Sequence, residues 1–139
     1  SDVEMPDGQV LADKAAWEEA VRAFHRREGM KEVHEAHAVL EAARNLLRAK
    51  GDVTAAVEGC TALWEVVERE HLQSQVASSG CLQLLPGILQ TRHMRAAHAA
   101  ATATFACLAD KPEYVPLFTT LNVLGAMVRL VEGVEAPGG

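Results

Sequence analysis

The sequence predicts an all-α fold, a solenoid of helical repeats with a period of about 42 residues. Three observations lead there. First, apolar positions recur at that step: moving forward pairs Leu63 with Phe105, Val66 with Leu108, Leu72 with Tyr114, Val76 with Phe118, Leu82 with Leu124, Leu85 with Met127, Ile88 with Leu130 and Leu89 with Val131. Moving back pairs Leu40 with Leu82, Ala43 with Leu85, Leu46 with Ile88, Leu47 with Leu89, Val21 with Leu63 and Phe24 with Val66. Second, the chain is 49% hydrophobic but only 4% aromatic. A core made of Leu, Val and Ala suits closely packed helices better than a sheet, whose strands favour β-branched and aromatic residues. Third, Gly80 is matched one period later by Asn122, and both residue types tolerate the left-handed backbone of a turn between helices.

Each element follows from local chemistry. Residues 1–10, with Pro6 and Gly8, read as a flexible lead-in. A helix is expected over 11–28, with Asp13 as N-cap or first-turn acid, Trp17, Ala20, Val21 and Phe24 as its apolar face, and Gly29 as its stop. Its register is that of the third helix of a preceding unit. The repeat at 31–70 opens with one long helix to Lys50, bearing Val33, Ala36, Leu40, Ala43, Leu46 and Leu47 on one side. Ala38 stands where the turn glycine would be, so the first and second helices of this unit are fused. Gly51 and Asp52 close that helix and cap the next. Its inward set is Val57, Cys60, Leu63, Val66 and Val67, with Trp64 at the edge.

The repeat at 71–110 is the most complete. A short helix carries Leu72 and Val76 and ends at Gly80, and a second carries Leu82, Leu85, Ile88 and Leu89. A third, from about Met94 to Asp110, is mostly Ala and Thr beyond Ala96 and lets neighbouring helices come close. Lys111 and Pro112 break the chain, with Pro suited to a first helical turn. A partial repeat at 112–133 supplies a short helix over 113–121, the Asn122 turn and a helix over 123–131, and 134–139 reads as a flexible tail. This unit is expected to lack a third helix. The chain is then a piece of a longer array, or it has an open end that docks on something, a second copy included.

Short helix, glycine turn, medium helix and small-residue helix, in the order of 71–110, resemble an armadillo repeat, and the domain at 11–133 is similar to armadillo and HEAT-like arrays. The resemblance implies a right-handed α-solenoid that binds a protein or peptide in a groove lined by successive third helices. Carried onto this chain, the groove residues would be Glu58, Thr61, Glu65 and Glu68 in one unit and Ala103, Cys107 and Asp110 in the next. In nuclear-import members of the family a Trp and an Asn four residues later form a ladder that clamps a peptide backbone. Those positions here are Thr61 and Glu65, then Ala103 and Cys107, so the ladder is absent and binding of that kind is not expected. The acids at 58, 65 and 68 either line a groove suited to a basic partner or keep a helix surface solvated.

Other chemistry is excluded or weak. With 19 Asp and Glu against 13 Lys and Arg, the chain has no general basic surface for nucleic acid or an anionic membrane. No apolar run approaches the roughly 20 residues of a membrane span. Three isolated cysteines, Cys60, Cys81 and Cys107, read as buried thiols of a reducing compartment, which points to an intracellular, cytoplasmic protein. No phosphate-binding glycine loop or nucleophile elbow is present, and no enzyme is expected. His34 and His37 share a helix face, but no third ligand is placed, so neither a metal nor a cofactor is expected. The expected function is a non-enzymatic interaction module that acts through the third-helix groove or the open end. The alternative is an assembly element that self-associates.

Overall fold

A computed structural model describes residues 7–132, which form seven α-helices and four single-turn 3-10 segments with no strand among them. The helices are α1 (Asp7–Leu47), α2 (Val53–Val67), α3 (Gln73–Ser78), α4 (Leu85–Leu89), α5 (Arg95–Ala109), α6 (Val115–Thr120) and α7 (Val123–Glu132). The 3-10 turns Glu70–Leu72, Leu82–Leu84, Arg92–Met94 and Pro112–Tyr114 lead directly into α3, α4, α5 and α6. Two compact units are distinguished, one ending at Glu35 and one beginning at Ala36.

In the first unit, two expectations fail. The helix begins at Asp7, not after residue 10, so Asp13 lies inside it rather than at its cap. Of the expected lead-in only residues 1–6 lie outside the described residues, as does the expected tail at 134–139. Gly29 does not end the helix: α1 continues through it to Leu47. A helical glycine costs about 1 kcal/mol relative to alanine, and the good helix formers around it, Arg26, Arg27, Glu28, Met30, Lys31 and Glu32, outweigh that cost. The expected apolar face is also largely uncovered within this unit. Trp17 is 70% exposed and Phe24 53%, while Val21 is half-buried. On the opposite side of the helix, Glu19 accepts hydrogen bonds from Arg22 at 2.9 Å and Arg26 at 3.0 Å.

The second unit holds the core. Ala36, Leu40, Ala43 and Leu47 line one side of the last turns of α1 and are buried. Gly51, with φ +77°, makes the turn, and Asp52 caps α2 by accepting from the Ala55 amide at 3.0 Å. From α2, Cys60, Leu63, Val66 and Val67 are fully buried and Val57 partly so, while Trp64 stays at the edge. Gly59 sets the approach of α1 to α2: a Cβ there would lie 2.9 Å from Leu47 Cγ and 3.2 Å from the Ala43 carbonyl oxygen. The most extensive packing in the unit is α2 against α5. Both helices carry buried small residues, Ala55, Ala56 and Gly59 on α2 and Ala97, Ala101 and Thr104 on α5. Thr104 satisfies its hydroxyl within its own helix, donating to the Ala100 carbonyl at 2.8 Å.

Leu72 and Val76 around α3, then Leu82, Leu85, Ile88 and Leu89 around α4, complete the interior. Between α3 and the next 3-10 turn Gly80 has φ +84°, and between α6 and α7 Asn122 has φ +53°. α4 packs on both α5 and α7, and α6 on α7. Buried polar contacts fix the joints. Arg44 Nη1 donates to the Ser79 carbonyl at 3.1 Å, and the Cys81 thiol reaches the Leu40 carbonyl at 3.4 Å, which ties the end of α1 to the turn after α3. His98, only 7% exposed on α5, places Nε2 2.8 Å from the Ile88 carbonyl and 3.1 Å from that of Thr91, so it serves the C-terminal end of α4.

Candidate functional site

The residues expected to line a groove come from α2, α5 and the turns that follow them. On α2 and just beyond it, Glu58, Thr61, Glu65 and Glu68 are spaced three, four and three apart, hence share one face, and all are exposed. On α5 and its C-cap, Ala103 and Cys107 are half-buried and Asp110 is exposed, again on one face. Because α2 packs along α5, the two stripes border a common seam. Their C-terminal ends are drawn together. The Cys107 thiol titrates above its ordinary value, first because it is desolvated and then because the Glu68 and Asp110 carboxylates oppose its ionisation. Glu68 and Asp110, both exposed, follow the last turns of α2 and α5, which Gln73 joins through the Val67 and Cys107 carbonyls. Nearer the N-terminal ends, Glu58, Thr61 and Ala103 stay dispersed along the two faces.

Residues that periodicity does not reveal hold this seam. Gln73 is 6% exposed, and its Nε2 donates to the Val67 carbonyl at 3.1 Å and the Cys107 carbonyl at 3.3 Å, joining the last turns of α2 and α5. Lys111 pairs with Glu70 on the same rim; the pair holds the Glu70 carboxyl below and the Lys111 ammonium above their ordinary values. A buried Gln in a polar segment gives no signal in a hydrophobic pattern. Its position one residue after the buried Leu72 is the only clue.

All three cysteine thiols are pushed up by desolvation. Burial pushes the Cys60 thiol up to about 11 and raises that of Cys81 as well. Such thiols are protonated near neutrality and react slowly. His34 and His37 are exposed on α1, with His37 Nε2 3.8 Å from Glu41. Among the described residues, no group of three or more His, Cys, Asp and Glu side chains could hold a metal ion. No helix of the described residues is long and apolar enough to cross a membrane.

A second surface has the opposite character. Between α5, α6 and α7 lies an apolar hollow of about 480 Å³, lined by Phe105, Val115, Phe118, Val123, Leu124 and Met127 among others, with no charged residue in its wall. Phe105 and Phe118 meet at its floor with ring centroids 5.8 Å apart and planes tilted by 56°. Around it Leu124 is 70%, Val128 51% and Val131 86% exposed. Comparison with protein-family models, with curated proteins and with solved structures finds no match to this chain.

Proposed function

We propose that the chain is a segment of an armadillo-like solenoid and works as a non-enzymatic protein-interaction module, with the acidic seam of α2 and α5 as its partner-binding face. The solenoid reading is supported by spacing. α2 begins at Val53 and α5 at Arg95, α3 spans Gln73–Ser78 and α6 Val115–Thr120, and the 3-10 turns Glu70–Leu72 and Pro112–Tyr114 are offset by the same 42 residues. The two left-handed turn residues, Gly80 and Asn122, keep that offset too. Equal steps in helices, turns and backbone conformation are what stacked copies of one supersecondary unit require.

The single observation that carries the binding face is that Gln73 joins the last turns of α2 and α5 through the Val67 and Cys107 carbonyls, with the exposed Glu68 and Asp110 just beyond those turns. Carboxylates left at a seam of small residues offer a basic peptide complementary charge, which acts chiefly on specificity and association rate. A partner rich in Lys or Arg, neither nucleic acid nor membrane, fits this face. The test is binding of a Lys- and Arg-containing peptide array to the native chain and to a Glu58→Lys, Glu65→Lys, Glu68→Lys variant. The expected result is loss of the bound peptides in the variant and weakening with salt in the native chain. Equal binding by both proteins would refute this face as the partner site.

The exposed apolar residues of α6 and α7 favour a second reading, an assembly element that self-associates. The two readings use different surfaces and are separately measurable.

A further inference from the structure

The apolar hollow and the apolar stripe of α1 are complementary in kind, and both are uncovered among the described residues. The hollow lies against α5 and is closed on its other sides by α6 and α7. In a stacked series a further helix of the α2 and α5 type would lie there, just as α5 lies against α2. One stretch of this chain already has the pattern of such a helix. Counting back from α5 to α2 and once more by the same step arrives at residues 11–25, where Val21 takes the place of Leu63 and Phe105, and Phe24 that of Val66 and Leu108. Trp17, Val21 and Phe24 are spaced four and three apart, on one face. The charged cluster of Glu19, Arg22 and Arg26 is engaged on the other side of the helix. Trp17 is 70% exposed, and Phe24, whose ring meets that of the adjacent His25 edge-on at 5.8 Å, is 53% exposed; an exposed Trp and Phe on one helix face is the kind of surface that marks a docking face.

We propose that a second copy of this chain seats the Lys14–Glu28 segment of α1 in the α5–α6–α7 hollow, as the next helix of the series. Charge selects the register and the direction. Arg27, Arg69 and Lys111 stand at equal steps; Arg69 and Lys111 follow the last turns of α2 and α5, and Arg27 lies within α1. Lys111 is paired with Glu70, an acid on the rim of the preceding unit. One step on, the counterpart of Glu70 is Pro112, and the acids nearest it on that rim are Asp110 and Glu113, both exposed, which Arg27 of the docked second copy would approach. The contact is heterologous, a helix of one copy in a hollow of the next, so it leaves a free hollow and a free helix at the two ends and grows by addition. This inference rests on the solenoid and assembly readings above.

The test separates the two halves of the contact. Variant one carries Trp17→Glu and Phe24→Glu; variant two carries Val115→Glu and Leu124→Glu. All four side chains are at least half exposed, so both variants keep the native helical circular dichroism. Solution mass is read by light scattering across concentration, starting from the 14.9 kDa monomer. The native chain is expected to gain mass with concentration, and each variant alone to remain a monomer. An equimolar mixture of the two is expected to form a dimer that does not grow, because only one intact helix and one intact hollow are left per pair. Self-association retained by variant one, a mixture that stays monomeric, or a native chain that is monomeric at every concentration would each overturn the proposal. Charge exchange adds an independent readout: Arg27→Glu or Glu113→Lys alone weakens association several-fold, and both in one chain restore it. Restoration failing would overturn the assigned register. Peptide binding at the acidic seam is read on the monomeric variants, so failure there leaves the mass result standing, and the reverse.

Discussion

Leu85, fully buried where α4 meets the core, tests the packing at the scale of one residue. Replacing it by Ala should lower stability by roughly 2–5 kcal/mol in a denaturant midpoint, through lost burial and the cavity left behind; a change near zero would contradict its place in the core. The thiols provide a second residue-scale test. In the native chain at neutral pH a small alkylating reagent should modify Cys107 first, since it is only partly buried, while Cys60 and Cys81 become reactive only on unfolding. Mass spectrometry of the tryptic peptides reads the order; equal rates for all three would contradict the burial. At this scale the sequence was informative where spacing and burial coincide. The pairs Leu63 and Val66, Leu72 and Val76, and Leu82 and Leu85 are each three or four residues apart, and all six are buried. At Trp17 and Phe24 it reached no further than the face, because periodicity identifies a face and does not say what covers it. It was silent on Gln73 and His98, whose burial depends on carbonyls supplied by distant turns.

Turn and cap chemistry was the most legible part of each element. Gly51, Gly80 and Asn122 adopt the positive φ that their residue types suggested, and Asp52 caps α2. Gly29 was misread as a stop because a glycine signal is weak beside a run of helix formers without proline, and its expected break is absent from α1. Another glycine, Gly59, has a packing role that no local rule announces. Glycine to alanine in a helix ordinarily stabilises by about 1 kcal/mol, yet at 59 the new methyl would press on Leu47 and the Ala43 carbonyl. Overpacking of that kind costs about 1–3 kcal/mol, so Gly59→Ala should be net destabilising, whereas Gly29→Ala, with nothing within 4 Å of the added Cβ, should raise the melting temperature. The pair of substitutions, measured by thermal unfolding, separates a packing glycine from a tolerated one. Stabilisation by Gly59→Ala would mean that α1 and α2 do not approach as closely as described.

For the whole molecule, the all-α class followed from composition and periodicity together, and the described residues contain helices and turns only. The candidate site was legible in part. Its acidic residues could be listed from a helical spacing, but that Gln73 ties the ends of α2 and α5 next to Glu68 and Asp110 depends on how α2 lies along α5, which a one-dimensional pattern does not contain. The apolar hollow of α5, α6 and α7 was foreseen only as an open end, without its walls. The central claim is that the chain is a stack of 42-residue units, and a whole-unit duplication tests it most directly: a second copy of residues 69–110 is inserted after Asp110, so that each joint repeats one already present, and unfolding is followed by circular dichroism. A stack gains one more interface and one more unit, so the account predicts a single cooperative transition at a higher melting temperature, with helical signal rising in proportion to length. A lower melting temperature, or a second transition from an inserted segment that does not join the core, would show that the units do not stack and would contradict the repeat.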